Sequence, residues 1–249
     1  MHTAARISAA LISAMLVLTC ATGAAGAAAG EAANPFEGEA APAPEGPIDT
    51  IVFGRMHEMG IEPARLCSNA AFVRRAYLDI LGTLPTAAEA RAFLEDTDPG
   101  KRGALIERLL ARDEFADYWA MKWSDLLRVK AEFPINLWPN AAQAYHRWIR
   151  TSVKENKPYD RFVREMLTAS GSNFRVPPVN FYRALQSREP QAVAQAVALA
   201  FMGTRAEAWP KERLAGMAGF FSQIAYKGTA EWKEEIVLFD PSKAAAPAV

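Results

Sequence analysis

Phe72-Val73-Arg74-Arg75-Ala76-Tyr77-Leu78-Asp79-Ile80-Leu81-Gly82-Thr83-Leu84-Pro85-Thr86 is the stretch on which the reading of the fold turns. Phe72, Ala76, Leu78 and Leu81 recur at helical spacing, Ser68 stands ahead of them as a cap, and Gly82 stops the run. Beyond the turn, Thr86 and Glu89 form a capping box, each side chain satisfying a backbone N–H of the other's turn. It opens a further helix carrying Phe93 and Leu94.

The same pattern extends in both directions. Upstream, Ile48, Ile51, Val52, Met56 and Met59 recur at helical spacing until Gly60 and Pro63 end the run. Downstream, Asp98-Pro99 reads as a helix start, with Leu105, Ile106, Leu109 and Leu110 as the apolar stripe. Asp113 reads as the cap of a helix that carries Phe115, Trp119, Lys122, Trp123, Leu126 and Leu127 on one side. Further helices are expected over 140–155, 159–169, 190–202 and 210–225, with Gly203 as a stop and Gly171 in a loop. The apolar segment 236–239, followed by Pro241, reads as extended. There is no alternating strand series and no internal repeat. The expected fold is all-α: an irregular multi-helix bundle with a short extended C-terminal segment, held by Leu, Phe and Trp packing.

Composition fits one domain plus flanking segments. The chain has 249 residues, 51% of them hydrophobic and 22% charged, with zero formal net charge. That average hides unlike parts. Four acids (Glu31, Glu37, Glu39, Glu45) and one base (Arg6) precede Ile48, so 27 of the 28 bases and 24 of the 28 acids fall in the rest. A surplus this small, with no Lys/Arg run, gives no argument for nucleic acid.

The first 29 residues read as an export signal: Arg6, an apolar run over 7–18, then small residues. The run is shorter than the roughly 20 residues a spanning helix needs; its alternative is a buried N-terminal helix. Ala25-Gly26-Ala27 and Ala27-Ala28-Ala29 suit signal peptidase, whereas Val17-Leu18-Thr19-Cys20 resembles a lipobox that would lipidate Cys20. The Ala/Pro/Glu-rich segment 30–47 reads as a flexible tether of roughly 30 Å reach from Cys20, tying the helical domain 48–241 to a membrane face if Cys20 is lipidated. The tail 242–249 reads as disordered. The expected location is the periplasm or cell envelope. Cys67, the other of two cysteines, reads as a small buried or helix-start residue rather than a nucleophile.

The stretch quoted first resembles the signature of the domain of unknown function 1549 family, also called the planctomycete cytochrome-associated domain. Matching pieces follow in order: Ala92-Phe93-Leu94, Leu109-Leu110, the W-x-x-x-W-x-D-x-x-R run from Trp119 to Arg128, and Lys157-Pro158-Tyr159-Asp160-Arg161-Phe162-Val163. The resemblance covers about 48–240. It implies an exported bacterial protein in the company of c-type cytochrome domains and a companion domain, and it brings no established reaction. Many relatives carry a Cys-x-x-Cys-His element after a phenylalanine-glycine helix end. Here Phe201-Met202-Gly203-Thr204-Arg205 runs on through Ala206-Glu207-Ala208-Trp209-Pro210. Both thiols and the histidine are absent, so covalent c-type haem is not expected; Phe220-Phe221 and Glu231-Trp232-Lys233-Glu234-Glu235 are kept, which reads as a haem-free subtype.

Two clusters are the candidate functional residues. Arg74, Arg75 and Asp79 share a helix, with Arg75 and Asp79 placed to pair, either as a structural network or as an anion-binding or acid–base set. Trp123, Asp125 and Arg128 form the second; Trp119 and Trp123 read most simply as core, or as an aromatic shelf for a sugar ring or peptide. The three histidines, His2, His57 and His146, have no ligand-spaced His or Cys neighbour, so no metal site is expected. No phosphate loop, nucleophile elbow or HExxH motif occurs. The leading expectation is a non-enzymatic binding or scaffold module whose partner is another exported protein, such as a cytochrome or the companion domain. One alternative is an envelope hydrolase acting on polysaccharide through Asp79, Asp125 and Asp160. The other is a redox accessory that docks to a cytochrome or binds haem through His57, His146 or a methionine.

Overall fold

The computed structural model describes residues 34–38, 40–132 and 135–243. The expected export signal, Cys20 and the last six residues lie outside them. The chain divides into two units, 1–71 and 72–249.

In the first unit, Pro47–Glu58 forms helix α1, with Pro at its first turn and Gly60 at φ 67 beyond its end. The segment expected as a free tether carries hydrogen bonds. Gly38 N donates to Leu66 O (2.6 Å), Leu66 N to Ala40 O (3.1 Å) and Ser68 N to Phe36 O (2.9 Å). Glu37 and half-buried Cys67 form a β-bridge within this pairing. A backbone ladder needs no apolar side chains, which is why composition alone missed it.

Helix α2, Asn69–Leu81, begins where expected: Ser68 Oγ accepts from Ala71 N at 3.3 Å. The second unit continues with α3 (Ala87–Glu95), α4 (Lys101–Leu110), α5 (Asp113–Leu126), α6 (Pro139–Lys154) and α7 (Tyr159–Leu167). The capping box at Thr86 and Glu89 is formed. Two starts differ from expectation. Asp98 Oδ1 accepts from Gly100 N (2.7 Å), making a turn, so α4 begins only at Lys101. Asp113 is the first residue of α5 rather than its cap, which is Arg112 without a side-chain cap bond.

The remaining elements are strand β1 (Gly171–Ser172), a 3-10 turn (Pro177–Val179), α8 (Asn180–Arg183), α9 (Pro190–Met202), a second 3-10 turn (Ala206–Ala208), α10 (Lys211–Gly219), β2 (Ile224–Gly228) and β3 (Glu235–Phe239). The fold is thus mostly helical, and the extended C-terminal segment is the middle strand of an antiparallel sheet ordered β1-β3-β2. The expected helix over 210–225 stops at Gly219. Residues 224–228 instead pair with β3, Tyr226 opposite Val237, and Gly171 on the other edge also faces Val237. Pairing to the next strand in a hairpin overrode a local apolar pattern that fits helix and strand alike.

Two apolar clusters hold this unit. Val73, Ala76, Tyr77, Leu81, Phe93, Leu105 and Leu109 join α2, α3 and α4. The larger cluster runs from Ala120 and Leu127 through Tyr145, Ile149, Phe162, Met166, Tyr182 and Val193 to Val237. Asn173 and Asn180, both buried, tie the β1 loop to β3. Glu235 N donates to Asn173 Oδ1 (2.9 Å), and Asn180 Nδ2 donates to Asn173 O (2.8 Å). No described helix is long and apolar enough to cross a membrane.

Candidate functional site

Helices α5 and α6 are packed along their length and joined by ion pairs of Asp117 with Arg150 and Asp113 with Lys154. Helix α6 ends at Lys154, and Asn156 takes φ 47 just beyond it, a left-handed position that Asn tolerates. The chain turns there, Lys157 N donating to Ser152 O (2.9 Å), and Pro158 starts α7. This turn sets α7 beside the middle of α5. Between them lies a cleft of about 160 Å³ lined by Phe115, Trp123, Ser152, Val153, Asn156, Lys157, Tyr159 and Phe162.

Its walls are rings. Trp123 lies 5.3 Å from Phe162 and 6.2 Å from Tyr159 between centroids. Behind Phe162, Trp148 stacks at 4.9 Å with planes 12° apart, and Tyr145 stacks on Trp148 at 6.3 Å. Such pairs each add about 0.5–1.5 kcal/mol beyond area burial, so the wall is stiff. The Tyr159 hydroxyl donates to Phe201 O at 2.8 Å, which holds its ring at the cleft's edge.

Polar groups are few. Lys157 Nζ sits 5.0 Å over the Trp148 ring and pairs with Glu165, and that hydrogen bond holds the Glu165 carboxyl below the usual carboxylate range. The pair leaves little net charge in the cleft. Ser152 is 3% exposed, and its hydroxyl has no partner among the described residues. The arrangement suits a neutral ring-shaped group: an apolar cavity of roughly 150 Å³ accepts a benzene-sized guest.

The expected site residues divide among several places. Trp123 is in this cleft. Asp125 and Arg128 are exposed and line a separate cavity of about 390 Å³ with Lys130 and Gln186. Arg128 takes φ 56 at the end of α5, and no ion pair joins it to Asp125 among the described residues. Arg74, Arg75 and Asp79 are exposed on α2, likewise without the expected Arg75–Asp79 pair. Trp119, read as core, is 38% exposed and stitches α5 to α2 through its Nε1–H to Ile80 O (3.2 Å). Of Asp79, Asp125 and Asp160, Asp125 alone lines one of the cavities described here. His146 is half-buried, and no three His, Cys, Asp or Glu converge on a metal position among the described residues.

A second polar cavity, about 610 Å³, lies among α2, α3 and α4 around Tyr77, Glu89, Arg108 and Arg112. Glu89 accepts from Thr86 N (2.8 Å), Thr86 Oγ1 (2.7 Å) and Arg112 Nη1 (2.8 Å), and these bonds bring its pKa down to about 2. A carboxylate so saturated is a poor base, so this is a structural knot. In the segment that follows α9, Ala206 is fully buried and the Arg213 guanidinium lies 4.2 Å over the Trp209 ring. That segment holds neither a cysteine nor a histidine.

Sequence reasoning named Trp123 but missed Ser152, Asn156, Lys157, Tyr159 and Phe162 as its company. The available signal was that the W-x-x-x-W-x-D-x-x-R and Lys157–Val163 runs are both motifs. Their meeting is a tertiary fact. In comparisons with known proteins, a family model described as "PSCyt2: Protein of unknown function (DUF1549)" matches residues 47–218. Neither curated proteins nor solved structures give a match.

Proposed function

The chain belongs to the PSCyt2 family of proteins of unknown function (DUF1549), and from that premise we propose that it is an exported, non-enzymatic binding module. Its cleft on α5, α6 and α7 receives a ring-bearing side chain of a partner protein. The partner is another exported protein, a cytochrome or companion domain of the same system. The module acts without covalent haem and is held in the envelope, with Cys20 as a lipid tether.

One observation carries this reading: two separate motifs of the chain line one cleft, Trp123 from the first and Lys157, Tyr159 and Phe162 from the second. Rings rigidified by their own stacking, beside a charge-neutralised Lys157, are what a recognition pocket for an apolar anchor requires. A pyranose fits less well, because most of its hydroxyls would face carbon without partners.

The test is capture of the tagged mature chain from cross-linked native envelopes, run beside Tyr159→Ala. Tyr159 is half-exposed, so its truncation leaves the core intact. The expected result is one exported protein recovered with the native chain and lost with the variant. Equal recovery by both, or turnover of a defined substrate that depends on Asp79 or Asp125, would defeat the proposal.

A further inference from the structure

A further cavity, again of about 610 Å³, lies where the end of α7, α9 and α10 meet strands β2 and β3. Its buried walls include Tyr182, Val197, Phe221 and Val237, with Leu167, Met217 and Ile224 completing them. Phe220, 85% exposed, and Phe239 stand at the mouth. The volume lies within the roughly 300–1,000 Å³ typical of ligand pockets.

The hydroxyls among the lining residues are already committed. Ser170 Oγ donates to Val237 O (3.1 Å), Tyr182 OH to Leu167 O (2.7 Å) and Thr168 Oγ1 to Arg164 O (2.8 Å). The Val237 backbone is used by strands on both sides. No charged side chain lines the space. A polar guest would therefore lose its hydration without recovering hydrogen bonds. The cavity opens to solvent at this mouth, so water fills it when no guest does, against walls that offer that water few hydrogen bonds.

We infer that this cavity binds an aliphatic chain, from a fatty acid or a phospholipid, with the polar head outside beyond Phe220 and Phe239. At the rim, Lys243 Nζ donates to Ile224 O (2.7 Å), with Asp240 close enough to offset its charge. The rim is thus near neutral, and the hydrocarbon supplies the recognition. This site is independent of the aromatic cleft, with which it shares no residue.

The experiment is titration of the full mature chain with cis-parinaric acid, followed by fluorescence, then displacement by palmitate or by a short-chain phosphatidylcholine. Saturation at one probe per chain is expected, with binding weakened at least about ten-fold by Val197→Trp, which fills the cavity. Phe220→Ala, at an exposed position that keeps the fold, should weaken it about three-fold or more. The better competitor identifies the source of the chain. Absence of saturable binding, or binding undiminished in both variants, would overturn the inference. So would about ten-fold tighter binding in a chain truncated after Lys243, which would make the chain's own last residues the occupant.

Discussion

Gly82 and Gly203 end helices with the same backbone and different surroundings, and their alanine variants should differ in a calculable way. Gly82 has φ 71 and Gly203 φ 61. Both lie in the left-handed region, where a Cβ costs about 1–2 kcal/mol. A Cβ on Gly203 would meet nothing within 4 Å, so Gly203→Ala should cost only that backbone amount. A Cβ on Gly82 would overlap Cδ2 and Cε2 of Tyr118. That ring cannot simply step aside: Lys122 Nζ lies 5.1 Å from its centroid, and Trp119 packs edge-on at 6.0 Å. Overpacking of this kind adds about 1–3 kcal/mol. Gly82→Ala should therefore cost about 2–5 kcal/mol, against about 1–2 for Gly203→Ala. In a domain of this size each kcal/mol lowers Tm by roughly 2–4 °C. Urea unfolding followed by circular dichroism measures both, and the double variant Gly82→Ala/Tyr118→Ala isolates the ring. Removing the ring should cancel most of the excess. Equal losses at the two glycines, or an excess that survives Tyr118→Ala, would refute the reasoning.

Other consequences follow from single groups. Tyr145 is fully buried, and among the described residues its hydroxyl meets only Met166 Sδ at 3.5 Å, so Tyr145→Phe should change stability by less than about 0.5 kcal/mol in thermal melts, well short of an ordinary hydrogen-bond loss. The unpartnered Ser152 hydroxyl is a burden, and Ser152→Ala should raise stability by about 0.5–1 kcal/mol. Glu89, held at about 2 chiefly by its bonds to Thr86, contributes stability that is complete above the ordinary glutamate value of about 4.3 and is lost as pH falls towards 2. Urea midpoints for Glu89→Gln should accordingly fall less steeply than the native chain's across that window.

How much of this could be read in advance depended on whether the controlling interaction was local. Ser68, the Thr86–Glu89 box, Gly82 and Gly203 act within a few residues of themselves, and the helices they bound stand where the sequence placed them. The sheet did not announce itself. Strand β1 has two residues, and β2 takes its strand character from β3, eleven residues or so further on. The site was half legible. Trp123 drew attention as an aromatic beside charged neighbours, yet Asp125 and Arg128 point the cluster to a different cavity. Apart from Phe115 on the same helix, the residues that share its cleft come from about 30–40 positions later, brought back by the turn at Asn156 and Pro158. Arg75 and Asp79 had the spacing of a pair, and spacing permits a pair without making one worthwhile on an exposed helix face.

The most direct test of the central claim is photo-crosslinking from the cleft itself, with Tyr159 replaced by p-benzoylphenylalanine in the full chain and illumination in native cells. The account predicts one discrete protein adduct, reduced by excess p-cresol as a competing ring and absent when the photoreactive group is moved to exposed Leu199 on α9. No adduct at Tyr159, or an adduct indifferent to p-cresol and equally strong from Leu199, would contradict it.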